Sequence, residues 1–392
     1  MADTARLISP LDAEAMSARK ASILRPFKAK LGQRNVAPCS ILVNGDSTGE
    51  GARAPNTPWP RVLRDQMRRR LGQNAAGGFG YVPAWYSTGD QQTPSPSQFS
   101  STISHTGSGQ ARGTYGFGRR CLAMNPGDVS TLTIPATGPY KSTNVDVMWA
   151  KASTAATSIV IKLNGAQVYT TTTNSGAPAG AQTYRVAIPQ DGAQHVITVE
   201  VTGQVLYFEG WFLYNGDEST GIRVIDGCSS GSTAGYFSFT SASAGGDQNY
   251  MLDDVAWASP ALIVWITGIN NFYNSSAQLS TPAEYLAQLQ AAHDNHNARL
   301  GSAACPHVII KQYERGPVGS TAGLANQCAA YTAAIDQFVA ANTDVLLYDM
   351  QGRLPAGPQT TALGLVHTDL THLTDVGGTF FGDDFTSFLI AA

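Results

Sequence analysis

The chain has 392 residues, long enough for two domains that each bury a core. A net charge of −3 with 14% charged residues gives no electrostatic footprint for nucleic acid or a membrane surface, and no run reaches the roughly 18 apolar residues of a membrane span. Five widely spaced cysteines without a Cys-x-x-Cys pair suggest neither a disulfide framework nor a zinc site.

Residues 1–37 form an N-terminal segment whose first 30 positions are charged throughout, so no apolar signal segment is visible. The compartment stays open: cytoplasmic, virion-associated, or reached by a non-classical route. The apolar run Cys39-Ser40-Ile41-Leu42-Val43 then reads as a buried strand ending in Asn44-Gly45-Asp46-Ser47-Thr48-Gly49. A serine leaving a strand at a glycine-flanked turn can present its hydroxyl at the carboxyl edge of a sheet. Gly, Asp and Ser are also what any turn would use. A helix near 58–71 follows, closed by Gly72, and the arginines around its Leu63, Met67 and Leu71 read as a solvated face. The loop from Gly77 to Tyr86 mixes glycines with aromatics. It could wall a crevice, which makes Tyr81 and Trp85 candidate substrate contacts, or pack two domains together.

From about 100 to 220 the rhythm changes. Runs at 145–149, 158–163, 184–188 and 195–201 read as strands, with Asn164-Gly165 and Asp191-Gly192 as turn signals. No convincing helix appears, and an inserted antiparallel β-sandwich is expected over 99–221. Its Trp149, Tyr169, Tyr207 and Trp211 offer candidate platforms for a sugar chain. A domain that only stabilises or oligomerises the protein is an equal alternative.

Beyond it, short apolar runs at 223–226, 262–267, 307–312 and 345–349 read as parallel strands. Thr281-Pro282-Ala283-Glu284 is a capping box that opens a helix to about Leu300. A second helix fills roughly 320–342, and a final one runs from Thr374 to Ala391. This order implies an α/β fold, a right-handed doubly wound parallel sheet with its ligand crevice at the carboxyl ends of the strands. His293 and His296 lie three apart on the predicted helix, a spacing that could suit a metal. With no third ligand evident, a solvated face explains them, and no metal or cofactor is expected. Asn274-Ser275-Ser276 matches a glycosylation acceptor but carries nothing without a secretory signal.

Three later segments pair with the Ser47 turn. Val224-Ile225-Asp226-Gly227-Cys228-Ser229-Ser230-Gly231 and Leu262-Ile263-Val264-Trp265-Ile266-Thr267-Gly268-Ile269-Asn270-Asn271 are strands ending in small-residue turns, and Asp369-Leu370-Thr371-His372 lies near the carboxyl end. A serine hydroxyl needs a neighbouring base, for which histidine is suited, and the base needs an acid to hold its tautomer. Asp369 and His372 are three apart, so one turn can bring them together; His367 has an acid nearby, but not three residues before it. Taken singly, Gly231 could be only a turn glycine, Asn270 only a helix cap and His372 only a surface histidine.

In order, these four segments resemble the blocks of the SGNH (GDSL-type) hydrolase family, over roughly 38–95 and 222–390. The resemblance implies a flavodoxin-like hydrolase domain formed by 38–98 and 222–392. It implies Ser47 as nucleophile, Asp369 and His372 as its acid and base, and Ser47, Gly231 and Asn270 as oxyanion donors. The family's third block usually reads Gly-x-Asn-Asp, and here Asn271 takes the last place, which touches a supporting hydrogen bond. The insert is similar, more loosely, to jelly-roll modules that accompany some carbohydrate esterases. The implied activity is a serine esterase removing small acyl groups, acetyl above all, from a carbohydrate through an acyl-enzyme. The expected partner is an acetylated glycan or small ester, with no nucleic acid and no membrane span; oligomerisation is left open. No long apolar lid segment is visible, which disfavours a lipase. A lipid-ester or thioester hydrolase remains an alternative, as does a cell-surface or phage-tail carbohydrate-binding protein.

Overall fold

The computed structural model describes residues 10–54, 56–73, 78–88, 91–93, 102–112, 115–151, 157–173, 180–216, 219–238, 248–273, 280–313, 325–354, 357–369 and 371–391. Five short apolar runs form one parallel sheet: β1 (Pro38–Gly45), β2 (Gly221–Cys228), β3 (Leu262–Ile266), β4 (His307–Lys311) and β5 (Val345–Asp349). Their spatial order is β2-β1-β3-β4-β5. The runs are apolar at their centres because both faces of the sheet are covered. On one face Ile41, Val43, Val264 and Ile266 pack with Leu24, Phe27, Leu63, Met67, Phe381 and Phe385. On the other, Leu42, Ile263 and Trp265 pack with Val255, Tyr285, Leu289 and Phe338. Gly45 pairs with Cys228 on one side and Ile266 on the other, so three strand ends come level. The order reverses at β1, where an open α/β sheet leaves its ligand crevice.

The flanking helices follow their sequence signals with two exceptions. Thr281 caps the Pro282–Leu300 helix with the expected box, and Thr374 caps Asp375–Ile390 through the Gly377 N–H. The helix expected over 320–342 is Ala325–Ala341, and its first positions, 320–324, lie outside the described residues, as do Gly77 and Asn274–Ser276. The first exception is a helix over Pro10–Gly32, in a segment given no element from sequence; Ile23, Leu24, Phe27 and Leu31 bury its inner face. Charged residues on the remaining faces hid that stripe.

The second exception corrects the solvated arginine face on the Trp59–Arg70 helix. Arg64 and Arg68 are buried. Arg64 Nη1 donates to the Phe79 carbonyl at 2.5 Å, and Arg68 donates to the carbonyls of Ile222 and Gly78 at 2.6–2.9 Å. Burial pulls the Arg68 guanidinium down to about 9. These side chains answer carbonyls on the loop from residue 78 and on β2, a demand no helical periodicity records.

Two antiparallel sheets make up most of the rest. One orders strands 166–173, 157–163, 195–202, 129–134 and 103–106; the other orders 180–187, 144–151, 206–214, 121–124 and 110–112. Leu132, Ile159, Ile161, Ile197 and Val199 of the first share a core with Val145, Val147, Trp149, Phe208 and Trp211 of the second. Asn164 and Gly165 have φ of 51° and 81°, the primed turn that closes strands 157–163 and 166–173. Asp191-Gly192 instead carries the chain from one sheet to the other. Trp149 and Trp211 are core residues at 2% and 0% exposure, which removes them as sugar platforms. Tyr169 stacks on Tyr184 with centroids 4.0 Å apart, and Tyr207 tilts against Tyr115 at 4.5 Å.

Strand Leu206–Tyr214 escapes period-two reading for a physical reason. Its register against 144–151 shifts between Phe208 and Gly210, a bulge at Glu209. Phe208 before the bulge and Trp211 and Leu213 after it face the sandwich core, while Phe212 and Tyr214 join the layer over the parallel sheet. Both faces are buried, so apart from Glu209 and Gly210 at the bulge the run is aromatic and aliphatic on both sides. This strand also pairs with Gly80–Pro83, which lies ahead of residue 99, where the insert was expected to begin.

Candidate active site

The turn that carries Ser47 is built by close approach. A Cβ on Gly45 would lie 2.2 Å from Ile266 Cγ2, and one on Gly49 would lie 2.2 Å from Cys228 Sγ, so both positions require glycine. Asp46 then caps the short Ser47–Glu50 helix by accepting from the Thr48 N–H at 2.9 Å. Its other oxygen accepts from Gln312 Nε2 at 2.9 Å. Burial pushes the Asp46 carboxyl up, opposed by those hydrogen bonds. Gln312 also accepts from the Ile269 N–H at 3.0 Å, so one carboxamide ties the serine turn to the turn after β3.

Ser47 Oγ lies 2.8 Å from His372 Nε2, and His372 Nδ1 lies 2.7 Å from Asp369 Oδ2. The second Asp369 oxygen accepts from the backbone N–H groups of Thr371 and His372 at 2.9 and 3.0 Å. Burial disfavours its charge, but the His372 ring and those N–H groups outweigh burial and hold the carboxyl far below its ordinary range. Ionised Asp369 therefore accepts the proton of His372 Nδ1, and the lone pair on Nε2 faces the serine hydroxyl. The loop is braced by the Tyr313 hydroxyl on the Thr371 carbonyl and by the His367 N–H on the His372 carbonyl at 2.8 Å. His367 Nδ1 stands 3.8 Å from Asp369 Oδ2, beside the pair rather than on the serine. Arg53, absent from the sequence reading, holds φ at 70° and brings Nε to 3.7 Å from the same oxygen.

Gly231 and Asn270 leave the ends of β2 and β3 on either side of this serine. Gly231 has φ of 78°, with no heavy atom within 4 Å of where a Cβ would be. Asn270 Nδ2 donates to the Ser232 carbonyl at 2.9 Å, which ties the two turns together with one of its two N–H groups. Asn271 is fully buried. Its oxygen accepts from the Ala234 N–H at 3.0 Å, and its nitrogen donates to Ser280 and Gln288. The backbone acceptor role open to an aspartate there is thus filled by the carboxamide.

The aromatic loop packs the layers together. Tyr81 is 4% exposed, its hydroxyl donates to the Glu209 carbonyl at 2.8 Å, and its ring meets Phe117 edge-on. Trp85 packs half-buried against the sandwich core. Cys39, Cys121, Cys228 and Cys305 are buried free thiols.

His293 and His296 are not on a solvated face: they are 6% and 0% exposed. Donor atoms of His293, His307 and Asp344 lie within 4.8 Å of one another. Hydrogen bonding, however, occupies those nitrogens. Trp265 Nε1, which can only donate, points at His307 Nδ1 at 2.9 Å, so the proton of that ring sits on Nε2 and faces Asn297 Oδ1 at 3.1 Å. His293 is clamped between Asp294 at 2.9 Å and Asp344 at 3.0 Å. Burial works against its charge, but the two carboxylates win and hold His293 above the ordinary histidine range.

No protein-family profile and no curated protein matches the sequence. Among solved structures, a peptidoglycan O-acetylesterase aligns over 94% of this chain and 97% of its own, with a TM-score of 0.65 and 18% identity. A family 2 carbohydrate esterase with a carbohydrate-binding domain, from Corynascus thermopiles (Myceliophthora fergusii), aligns at TM-score 0.34 and 11% identity over 74% of this chain and 99% of its own. A family two carbohydrate esterase from Clostridium thermocellum aligns at 0.32 and 10% over 73% and 96%. The first alignment establishes a shared fold that takes in both the parallel and the antiparallel sheets.

Proposed function

We propose that the protein is a serine esterase of the SGNH type that removes small acyl groups, acetyl in the first place, from a carbohydrate. The observation that carries this reading is the unbroken chain from Asp369 through His372 to Ser47 at 2.7 and 2.8 Å. In the reading, His372 Nε2 takes the proton of Ser47 Oγ as that oxygen attacks the ester carbonyl. The oxyanion meets the N–H groups of Ser47 and Gly231 and the Asn270 amide. The imidazolium, stabilised by Asp369, protonates the departing sugar hydroxyl and leaves an acyl-serine, which water opens by the same route in reverse. In domain terms the reading is a hydrolase unit of 38–98 and 222–392 around an insert of 99–221, with Gly80–Pro83 as the strand the first lends the second. The carbohydrate substrate is supported by the name of the peptidoglycan O-acetylesterase that shares the fold.

A fluorophosphonate probe followed by intact mass and peptide mapping tests the reading. One adduct on Ser47, with hydrolysis of a short activated acetate, is the expected result. An unlabelled, inactive protein, or an adduct elsewhere, overturns it. Acetyl esters should turn over faster than octanoyl esters, and the reverse order would shift the assignment to lipid esters.

A further inference from the structure

Ser230 immediately precedes Gly231, and its N–H is held by a side chain from another block: Glu50 Oε2 accepts it at 2.5 Å. Glu50 ends the Ser47–Glu50 helix at 1% exposure. A carboxylate buried that deeply needs a compensating charge. The charge comes from the antiparallel layer. Arg120, 2% exposed, lies between the Phe117–Arg119 turn and the Cys121–Met124 strand. Its Nη1 stands 3.6 Å from Glu50 Oε1 and its Nη2 3.2 Å from Asp226 Oδ2, and it also donates to the Asp226 carbonyl. Asp226 Oδ1 in turn accepts from the Cys228 N–H at 2.9 Å. The backbones touch at the same place. A Cβ on Gly118, whose φ is 67°, would lie 2.8 Å from the carbonyl oxygens of both Gly227 and Cys228.

The turn that carries Gly231 is thus clasped at Cys228 by Asp226 and at Ser230 by Glu50, and one guanidinium joins the two clasps. We propose that Arg120 is a positioning residue for the oxyanion hole, through which the antiparallel layer sets where the Gly231 N–H points. The proposal rests on the serine-esterase reading. A planar guanidinium can serve two carboxylates in fixed directions, whereas a lysine ammonium is a point charge on a flexible stem. A donor displaced by about 1 Å can cost on the order of 10² in rate. Because the oxyanion develops only once the serine attacks and is absent from the bound ester, the loss falls on kcat and spares KM.

The test uses the full-length protein, Arg120→Lys and Glu50→Gln. Exhaustive fluorophosphonate titration counts competent Ser47 sites, and kcat and KM per site are then measured on a chromogenic acetate alongside thermal melts. The expected result is a fall in kcat per titrated site of about 10- to 100-fold in both variants, with KM within about twofold of the parent. A merely structural role would lower the melting temperature or the number of sites and leave kcat per site at the parental value, which overturns the proposal. If Arg120→Lys does not fold, Glu50→Gln decides alone: its near-isosteric amide removes the charge that Arg120 answers, and an unchanged kcat per site refutes the coupling. A parent protein that neither labels at Ser47 nor hydrolyses the acetate brings down the esterase reading, and Arg120 with it. An active parent with variants of equal kcat brings down Arg120 alone.

Discussion

Among the described residues, His372 pairs with Asp369 at 2.7 Å and His293 with Asp344 at 3.0 Å, two histidine–carboxylate contacts of similar length. They differ in what the second ring nitrogen meets. For His372 it is a serine hydroxyl at 2.8 Å, which can give up a proton. For His293 it is a second carboxylate, Asp294 at 2.9 Å, which can only accept one. The first arrangement has the chemistry of a base that can take up the hydroxyl proton. The second keeps an imidazolium charged and uses it to tie the Pro282–Leu300 helix to the segment entering β5. A histidine beside an acid is therefore uninformative until the third partner is known.

The comparison can be broken from either side. The largest effect is expected for Ser47→Ala, which removes the third partner of His372 and should cut hydrolysis of an activated acetate by about 10⁶, with an unchanged circular dichroism spectrum. Retention of more than a few per cent of the rate would show that another group is the nucleophile. Next comes Asp369→Asn, which can hold the wrong ring tautomer toward Ser47 and should cost about 10⁴ in kcat. The matching change in the second pair, Asp344→Asn, should leave kcat within about twofold. A loss there comparable to that of Asp369→Asn would mean that the two pairs are not separate.

The smallest effect is on stability and has a definite pH dependence. His293 is held above its unfolded value of about 6.5, so its contribution is complete below that pH and fades as pH climbs through the raised folded value. Burial opposes ionisation of Asp344, but His293 brings it down to about 2, against about 3.9 unfolded. Its share is present above the latter and is lost as pH falls through the former. His293→Gln should accordingly cost about 1.5–3 kcal/mol at pH 5.5, from urea unfolding, and markedly less at pH 8.5. An equal cost at both values would assign the loss to packing against Phe338 and His307 instead.

The parallel sheet was legible in the sequence because its strands have short apolar centres covered on both faces, and the first three end in small-residue turns. Three of the four candidate-site segments end such strands, and at the first the glycines at 45 and 49 are forced by Ile266 and Cys228, so the turn leaves a mark in the sequence. What was not legible depends on partners far along the chain. Arg64 and Arg68 look solvated on a helical wheel and are buried by carbonyls 10 to 154 residues away. His293 and His296 gave no hint that Asp344 and Asn44 would meet them. Glu50 follows Asp46 as a second acid in a turn of small residues, and its counter-charge sits 70 residues on, beyond any local pattern. Tyr81, Trp149 and Trp211 show the converse limit. An aromatic that packs a core and one that meets a sugar are the same letter.

The bulge at Glu209 has a consequence for how the molecule comes apart. By changing the parity of one strand, it lets Trp211 and Leu213 close the sandwich while Phe212 and Tyr214 roof the parallel sheet. One strand is thus an inner wall for two hydrophobic interiors. Heating cannot release either without baring the other, so calorimetry should record a single cooperative transition rather than two. For the same reason the antiparallel part is a poor graft. Excised and moved to another enzyme, it would carry an apolar back that only its own parallel sheet fits.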